Sequence, residues 1–144
     1  MSVASFHWIP DHPALFRRVA AALPTGGRLE AEFGGEGNIG AVNRALDAAG
    51  ARPDAADWNF VSAAETAAAL DGAGFREVDV RVVPDPVALE RGAQLEAFLA
   101  TVIMGAILQG LPAEEGRALV RRVAAHLPDG VVDYVRMQAS ATKG

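Results

Sequence analysis

Gly35, Gly37 and Gly40 are spaced G-x-G-x-x-G, the pattern with which a strand-to-helix turn brings backbone N–H groups against a pyrophosphate. The turn lies between a strand-like stretch, Arg28–Phe33, and a helical stretch from about Asn38 to Ala49. Two features speak against a dinucleotide. Such a site needs an acid at the end of the following strand, about 20 residues on. Here Asp54 and Asp57 come before the next apolar run, Trp58–Val61. Glu30, Glu32 and Glu36 also crowd the loop and would repel a pyrophosphate. The glycines read better as a tight turn at the carboxyl edge of a sheet, where open α/β folds bind ligands. Other chemistry is excluded by composition. With no cysteine there is no disulfide, thiolate metal site or thiol nucleophile. His7, His12 and His126 are too scattered for a metal site, and the last two read as surface residues.

The elements that position these residues follow from periodicity and punctuation. Ser2–His7 reads as a short buried strand ended by Trp8-Ile9-Pro10. Asp11 is a good N-cap, and Pro13 suits a first helical turn. Leu15, Phe16, Val19 and Leu23 recur at helical spacing before Pro24-Thr25-Gly26-Gly27 turns the chain. Two strands joined by that helix should be parallel with a right-handed crossover. After the glycine turn and its helix, Arg52–Asn59 is a polar linker. Ser62-Ala-Ala-Glu65 is a capping box opening a helix that ends at Asp71-Gly72-Ala73-Gly74. A strand follows near Glu77–Val83, with Val78, Val80 and Val82 alternating. Helices over about Gln94–Gln109 and Ala113–His126 precede a last strand, Val131–Ser140.

The chain has 144 residues, enough for one domain, Met1–Gly144, with a real core. High apolar and low aromatic content favours Ala-rich helices on a Val/Leu sheet. The net charge of −5 and the lack of a basic stripe argue against nucleic-acid binding. The longest apolar stretch, Ala97–Leu108, is short of the roughly 20 residues that span a bilayer, so no membrane partner is expected. It reads as a buried or partner-facing helix. The absence of cysteine and of a signal peptide fits a cytoplasmic protein.

Three motifs in order carry a resemblance: Ala4-Ser-Phe-His-Trp-Ile-Pro-Asp11, Leu23-Pro-Thr-Gly-Gly-Arg-Leu29 and Ala31-Glu-Phe-Gly-Gly-Glu-Gly-Asn38. Leu70-Asp-Gly-Ala-Gly-Phe75 and Val131-Val-Asp-Tyr-Val-Arg136 follow in the expected places. The chain resembles the second half of class I S-adenosylmethionine-dependent methyltransferases, especially the trans-aconitate methyltransferase-like group. Val3 departs from the Asn of many members, and Thr25 from the Pro of their "PGG" turn. The resemblance implies an α/β, partial Rossmann-like methyltransferase sheet of about four strands with about five helices. Its strands would be the family's four, five, seven and six, with the last antiparallel between five and six. It further implies that the chain begins inside strand four. The cofactor-binding glycine loop and acid of the first strands would then have no counterpart, and the Ser2–His7 strand would be an unpaired edge open to self-association or a partner chain.

What the resemblance implies about chemistry is methyl transfer from S-adenosylmethionine to a small-molecule acceptor, possible for a carboxylate without a base. Such a displacement needs alignment and desolvation more than acid–base help. Ser5, His7 and Trp8 would line the cofactor, with His7 and Trp8 able to wall either the cofactor or the acceptor site, or else His7 and Trp8 are a hydrogen-bonded strand-end histidine and a packing residue. Glu32, Gly34 and Asn38 would face the acceptor, with Glu32 equally readable as a solvated or paired carboxylate. Tyr134 and Arg136 lie on the last strand, where Arg136 would hold an acidic acceptor or else form a surface pair. The Ala97–Leu108 helix would be a lid or plain core. Three readings stay open: a methyltransferase chain active once its other half is supplied, a non-catalytic member that binds a partner through its edge, and a gene model that starts too late.

Overall fold

Leu29, Ala31 and Phe33 alternate with Arg28, Glu30 and Glu32, and a two-residue period gives a strand one apolar and one polar face. The computed structural model describes residues 1–51 and 58–144 and contains that strand. In chain order the elements are β1 (Ser2–Val3), a 3-10 turn (Phe6–Trp8), α1 (His12–Ala22), β2 (Arg28–Gly34), α2 (Gly40–Ala48), α3 (Ala63–Gly72), β3 (Phe75–Pro84), β4 (Val87–Ala88), α4 (Ala93–Phe98), a π-helical turn (Leu99–Ile103), α5 (Gly105–Leu108), α6 (Ala113–Ala125), β5 (Val131–Val132) and β6 (Val135–Lys143). The described residues fall into two compact units: 1–38, 58–85 and 134–144 in the first, 39–51 and 86–133 in the second. Most of the expected linker, with Asp54 and Asp57, lies outside the described residues.

The first unit holds a four-stranded sheet in the order β1-β2-β6-β3. β1 and β2 are parallel, and β6 runs antiparallel between β2 and β3. This is the α/β order expected from the resemblance. Phe33, Met137, Ala139 and Ala141 point from the sheet into a core completed by Phe16 and Ala20 of α1 and Leu70 of α3. Complete burial of a ring such as Phe16 contributes about 1.5–3 kcal/mol. Both helices start where side chains satisfy their free N–H groups. Asp11 Oδ1 accepts from Ala14 N at 2.8 Å, and Ser62 and Glu65 form the reciprocal capping box.

The second unit packs Val42, Ala45 and Leu46 of α2 and Leu119, Val120 and Val123 of α6 inward. β4 and β5 form a short antiparallel ribbon. Asp133 caps α2: its two carboxylate oxygens accept from Ala41 N at 3.0 and 2.8 Å, and its carbonyl accepts from Ile39 N at 3.0 Å. No helix among the described residues is long and apolar enough to cross a membrane.

Several expected boundaries are corrected. The Ser2–His7 strand stops at Val3, because Ala4 takes a left-handed φ of 55° and the following 3-10 turn drops Phe6 between Phe16 and Phe33. The Gln94–Gln109 helix is interrupted by a π-helical turn, in which Met104 N reaches back five residues to Leu99 O. The Val131–Ser140 strand divides into β5 and β6, because Asp133 leaves the ladder to cap α2 and Tyr134 O accepts from Asp85 N. Tyr134 therefore precedes β6. The Asn38–Ala49 helix starts at Gly40, after Ile39 turns left-handed. His12 is buried, not superficial: its Nε2 bonds to Phe6 O at 3.0 Å, and its ring packs on Phe16 and Phe33.

Candidate functional site

The 3-10 turn after β1 carries His7 back to the end of β2, where Nδ1 accepts from Gly34 N at 3.1 Å. A backbone N–H can only donate, so Nδ1 holds a lone pair and the ring proton of the neutral imidazole sits on Nε2. Burial, then the positive Arg136, then His12, hold the His7 pKa below its ordinary 6.5. At neutral pH this side chain is an uncharged N–H donor.

Gly34 is the junction of the site. A Cβ on it would lie 2.6 Å from Phe60 Cε1 and 2.7 Å from Asn38 Nδ2, so glycine alone lets that ring approach the strand. Its cross-strand partner is Arg136. Directly paired residues project to one face of a sheet, so Arg136 leaves on the side that Phe60 occupies. Arg136 Nε donates to Asp85 Oδ2 at 3.1 Å, and the guanidinium carbon stands 4.4 Å from the Tyr134 ring centroid. Burial raises the Tyr134 pKa, with Arg136 opposing, so the phenol stays neutral. Among the described residues the Arg136 Nη groups have no hydrogen-bond partner, which leaves the outer fork of the guanidinium for an anion.

Residues 58–61 contain no helix or strand, yet they are pinned. Asn59 N donates to His7 O at 2.7 Å, Asn59 Nδ2 donates to Pro10 O at 3.0 Å, and Glu36 N donates to Val61 O at 2.9 Å. The segment thereby holds Trp58 and Phe60 stacked, with centroids 6.0 Å apart and planes within 10°. Phe60 lies 5.8 Å from His7, His7 5.3 Å from Trp8, and Trp8 6.1 Å edge-on from Trp58. Trp8 is 51% exposed. Trp58, Asn59 and Phe60, in the sequence only the end of a linker and the start of an apolar run, are added to the site by the structure. The available signal was two aromatic rings two residues apart in a chain poor in aromatics.

The structure thus gathers His7, Trp8, Gly34, Asn38, Tyr134 and Arg136 around the ends of β2 and β6. Asn38 serves the scaffold: it is buried, and its Oδ1 accepts from Val135 N at 2.8 Å. Ser5 and Glu32 flank this group with their side chains bonded elsewhere, although the Ser5 carbonyl accepts from Trp8 N at 3.1 Å. The Ser5 hydroxyl bonds to Ser2 Oγ at 2.7 Å. Glu32 Oε2 accepts from Gln138 Nε2 at 3.1 Å, beside a polar groove of about 360 Å³ that also includes Glu30, Asp79 and Arg81.

The glycine turn is no phosphate cradle. Gly34 N is taken by His7, Gly35 N by Val135 O, Glu36 N by Val61 O and Asn38 N by Gly35 O. In the second unit the Asp133 carboxylate already fills the anion position at the start of α2.

No protein-family model matches the chain, and no characterised protein matches it by sequence. In structure it is similar to two complexes of Haemonchus contortus phosphoethanolamine N-methyltransferase 2. One holds phosphomonomethylethanolamine and S-adenosylhomocysteine, and the other, a selenomethionine protein, holds S-adenosyl-L-methionine. In both cases the TM-score is 0.51 and the identity 14%, over 98% of this chain and 32% of that chain. The chain spans about a third of the length of these structures, and what it shares with them is the fold.

Proposed function

We propose that the chain takes part in methyl transfer from S-adenosylmethionine to a small molecule carrying a carboxylate. The observation behind this reading is the meeting of a neutral N–H donor, His7, and an open guanidinium fork, Arg136, about Gly34 at the sheet end where α/β folds bind ligands. The order β1-β2-β6-β3 supports the methyltransferase fold, the motifs around Ala4–Asp11 and Ala31–Asn38 favour the trans-aconitate methyltransferase-like group, and the composition favours a cytoplasmic protein.

S-adenosylmethionine supplies an activated methyl group whose transfer needs alignment and exclusion of water rather than a base. The residues present suit it on one side. His7 is uncharged, so no imidazolium faces the sulfonium, and Trp8 exposes half its surface. Ser5 and His7 would line the cofactor, Trp8 would stand between cofactor and acceptor, and Glu32, Gly34, Asn38, Tyr134 and Arg136 would lie toward the acceptor. Arg136 binds the acid, and Asp85 and Tyr134 hold its guanidinium in one orientation. The bound carboxylate in turn offsets a guanidinium charge that would otherwise repel the sulfonium.

The test is transfer of labelled methyl from S-adenosylmethionine to a panel of small acids by the full product of the gene, with Arg136→Gln beside it. Transfer is expected, with kcat/KM reduced about 10- to 100-fold in the variant, the worth of a charged hydrogen bond. Absence of both transfer and S-adenosylhomocysteine binding by calorimetry would overturn the reading.

A second reading, a module that associates through its edge, rests on β1. It pairs with β2 alone among the described strands, and Val3 is 61% exposed. Light scattering tests it, and a stable monodisperse monomer counts against it.

A further inference from the structure

We propose that Trp8, Trp58 and Phe60 form a recognition surface for an aromatic ring, so that the acceptor is an aryl carboxylate rather than an aliphatic acid. This rests on the reading of Arg136 as the acid-binding residue.

Three observations carry it. The rings are set in place before any ligand arrives, since Asn59 and Val61 tie their segment to His7, Pro10 and Glu36. A pre-arranged surface spends little ordering entropy on binding. Next, the wall and the guanidinium adjoin. Phe60 touches Gly34, Arg136 is the cross-strand partner of Gly34, and both occupy one face of the sheet. Directly paired residues have Cβ positions about 5 Å apart, so the Arg136 side chain leaves the sheet about 5 Å from the spot that Phe60 fills, a span within reach of one small molecule. Last, the charge selects among flat ligands. Burial first and then the positive Arg136 lower the His7 pKa, so the guanidinium's potential reaches His7, whose ring lies 5.3 Å from Trp8 and 5.8 Å from Phe60. Aromatic faces can hold cations, but that potential disfavours a cation here and favours a flat anion. Stacking on such rings is worth roughly 5- to 100-fold in affinity.

The chain provides its own reporter, because its two tryptophans are Trp8 and Trp58, both in the wall. The experiment titrates the full gene product with cinnamate and with 3-cyclohexylpropionate, of like charge and size but without a π-system. Calorimetry gives affinity, and tryptophan emission gives location. Cinnamate should bind at least about 10-fold more tightly and shift the emission saturably. Trp58→Leu should lower cinnamate affinity to that of the cyclohexyl acid and leave the latter unchanged, whereas Trp58→Phe, which keeps a ring, should retain most of the preference. Equal affinities of the two acids would overturn the proposal. So would a Trp58→Leu variant that weakens both acids alike, since the wall would then be structural. Adenosine displacing cinnamate and producing the same emission change would overturn it as well, by assigning the wall to the cofactor. Failure of the carboxylate reading shows separately, as Arg136→Gln leaving both affinities unchanged.

Discussion

Gly34→Ala tests the central geometric claim. The added methyl would meet Phe60 Cε1 at 2.6 Å and Asn38 Nδ2 at 2.7 Å, both well inside van der Waals contact. Neither neighbour yields freely. Phe60 is stacked on Trp58 in a segment pinned by hydrogen bonds, and the other end of the Asn38 amide holds Val135 N. Overpacking of this kind costs about 1–3 kcal/mol. Displacing Asn38 from Val135 adds about 1 kcal/mol. The expected loss is about 2–4 kcal/mol, a fall in Tm of roughly 6–14 °C for a domain of this size. Urea unfolding followed by far-ultraviolet circular dichroism measures the loss, and native tryptophan emission shows whether Trp58 has moved. Phe60→Ala in the same chain makes room for the methyl, so the double variant should be less damaged than the sum of the singles by about 1–3 kcal/mol. Gly37→Ala is the contrast: φ is +82° with open space around it, so only the backbone strain of about 1 kcal/mol is expected and no change at Trp58. A Gly34→Ala protein within about 0.5 kcal/mol of wild type, with unchanged emission, would refute the reasoning.

His7 predicts a pH dependence. Its folded pKa lies below 6.5, so the unfolded chain binds more protons in the window between the two values. The stability it contributes is complete above about 6.5 and is lost as pH falls through the folded value. His7→Asn keeps an acceptor for Gly34 N without titrating, so its stability should decline less between about pH 7.5 and 5.5, and identical slopes would rule the claim out. Asp133→Ala removes the carboxylate that caps α2 and should cost about 1–2 kcal/mol in urea unfolding, whereas a helix indifferent to the change would show that Ala41 N finds another acceptor. Ser62→Ala breaks the capping box of α3 and should cost about 1 kcal/mol, with an unchanged urea midpoint as the contrary result.

Local signals survived folding where they were self-contained. Asp11 with Pro13, and Ser62 with Glu65, announce helix starts because the bonds that satisfy the first N–H groups come from within the same turn. The alternation in Leu29–Phe33 announces β2 because one face must meet the core. The signals that misled were those settled by distant residues. Ser2–His7 has the composition of a strand, but Phe6 is worth more against Phe16 and Phe33 than on a sheet edge. Val131–Ser140 has the composition of one strand, yet the N-terminus of α2 draws Asp133 out of it. His12 looked like a surface residue, since nothing in its own stretch says that its ring will bond Phe6 O and pack on Phe33.

The same division holds for the site. Taken alone, the sequence determined the α/β class and the parallel β1–α1–β2 unit, while the candidates Ser5, His7, Trp8, Glu32, Gly34, Asn38, Tyr134 and Arg136 came from the family resemblance. It also determined that the glycine turn lacks the acid a dinucleotide site requires. The class, the unit and the missing acid follow from residue type and spacing along one stretch of chain. Tertiary structure alone decided that Trp58 and Phe60 join them, that His7 is a neutral donor, and that Gly34 must be glycine. The physical reason is that each depends on a contact between stretches far apart in sequence: Phe60 on Gly34, Gly34 N on His7 Nδ1, Arg136 across from Gly34. Periodicity reports which face of an element is buried, but the partner that meets it is chosen only when the sheet and its loops close together.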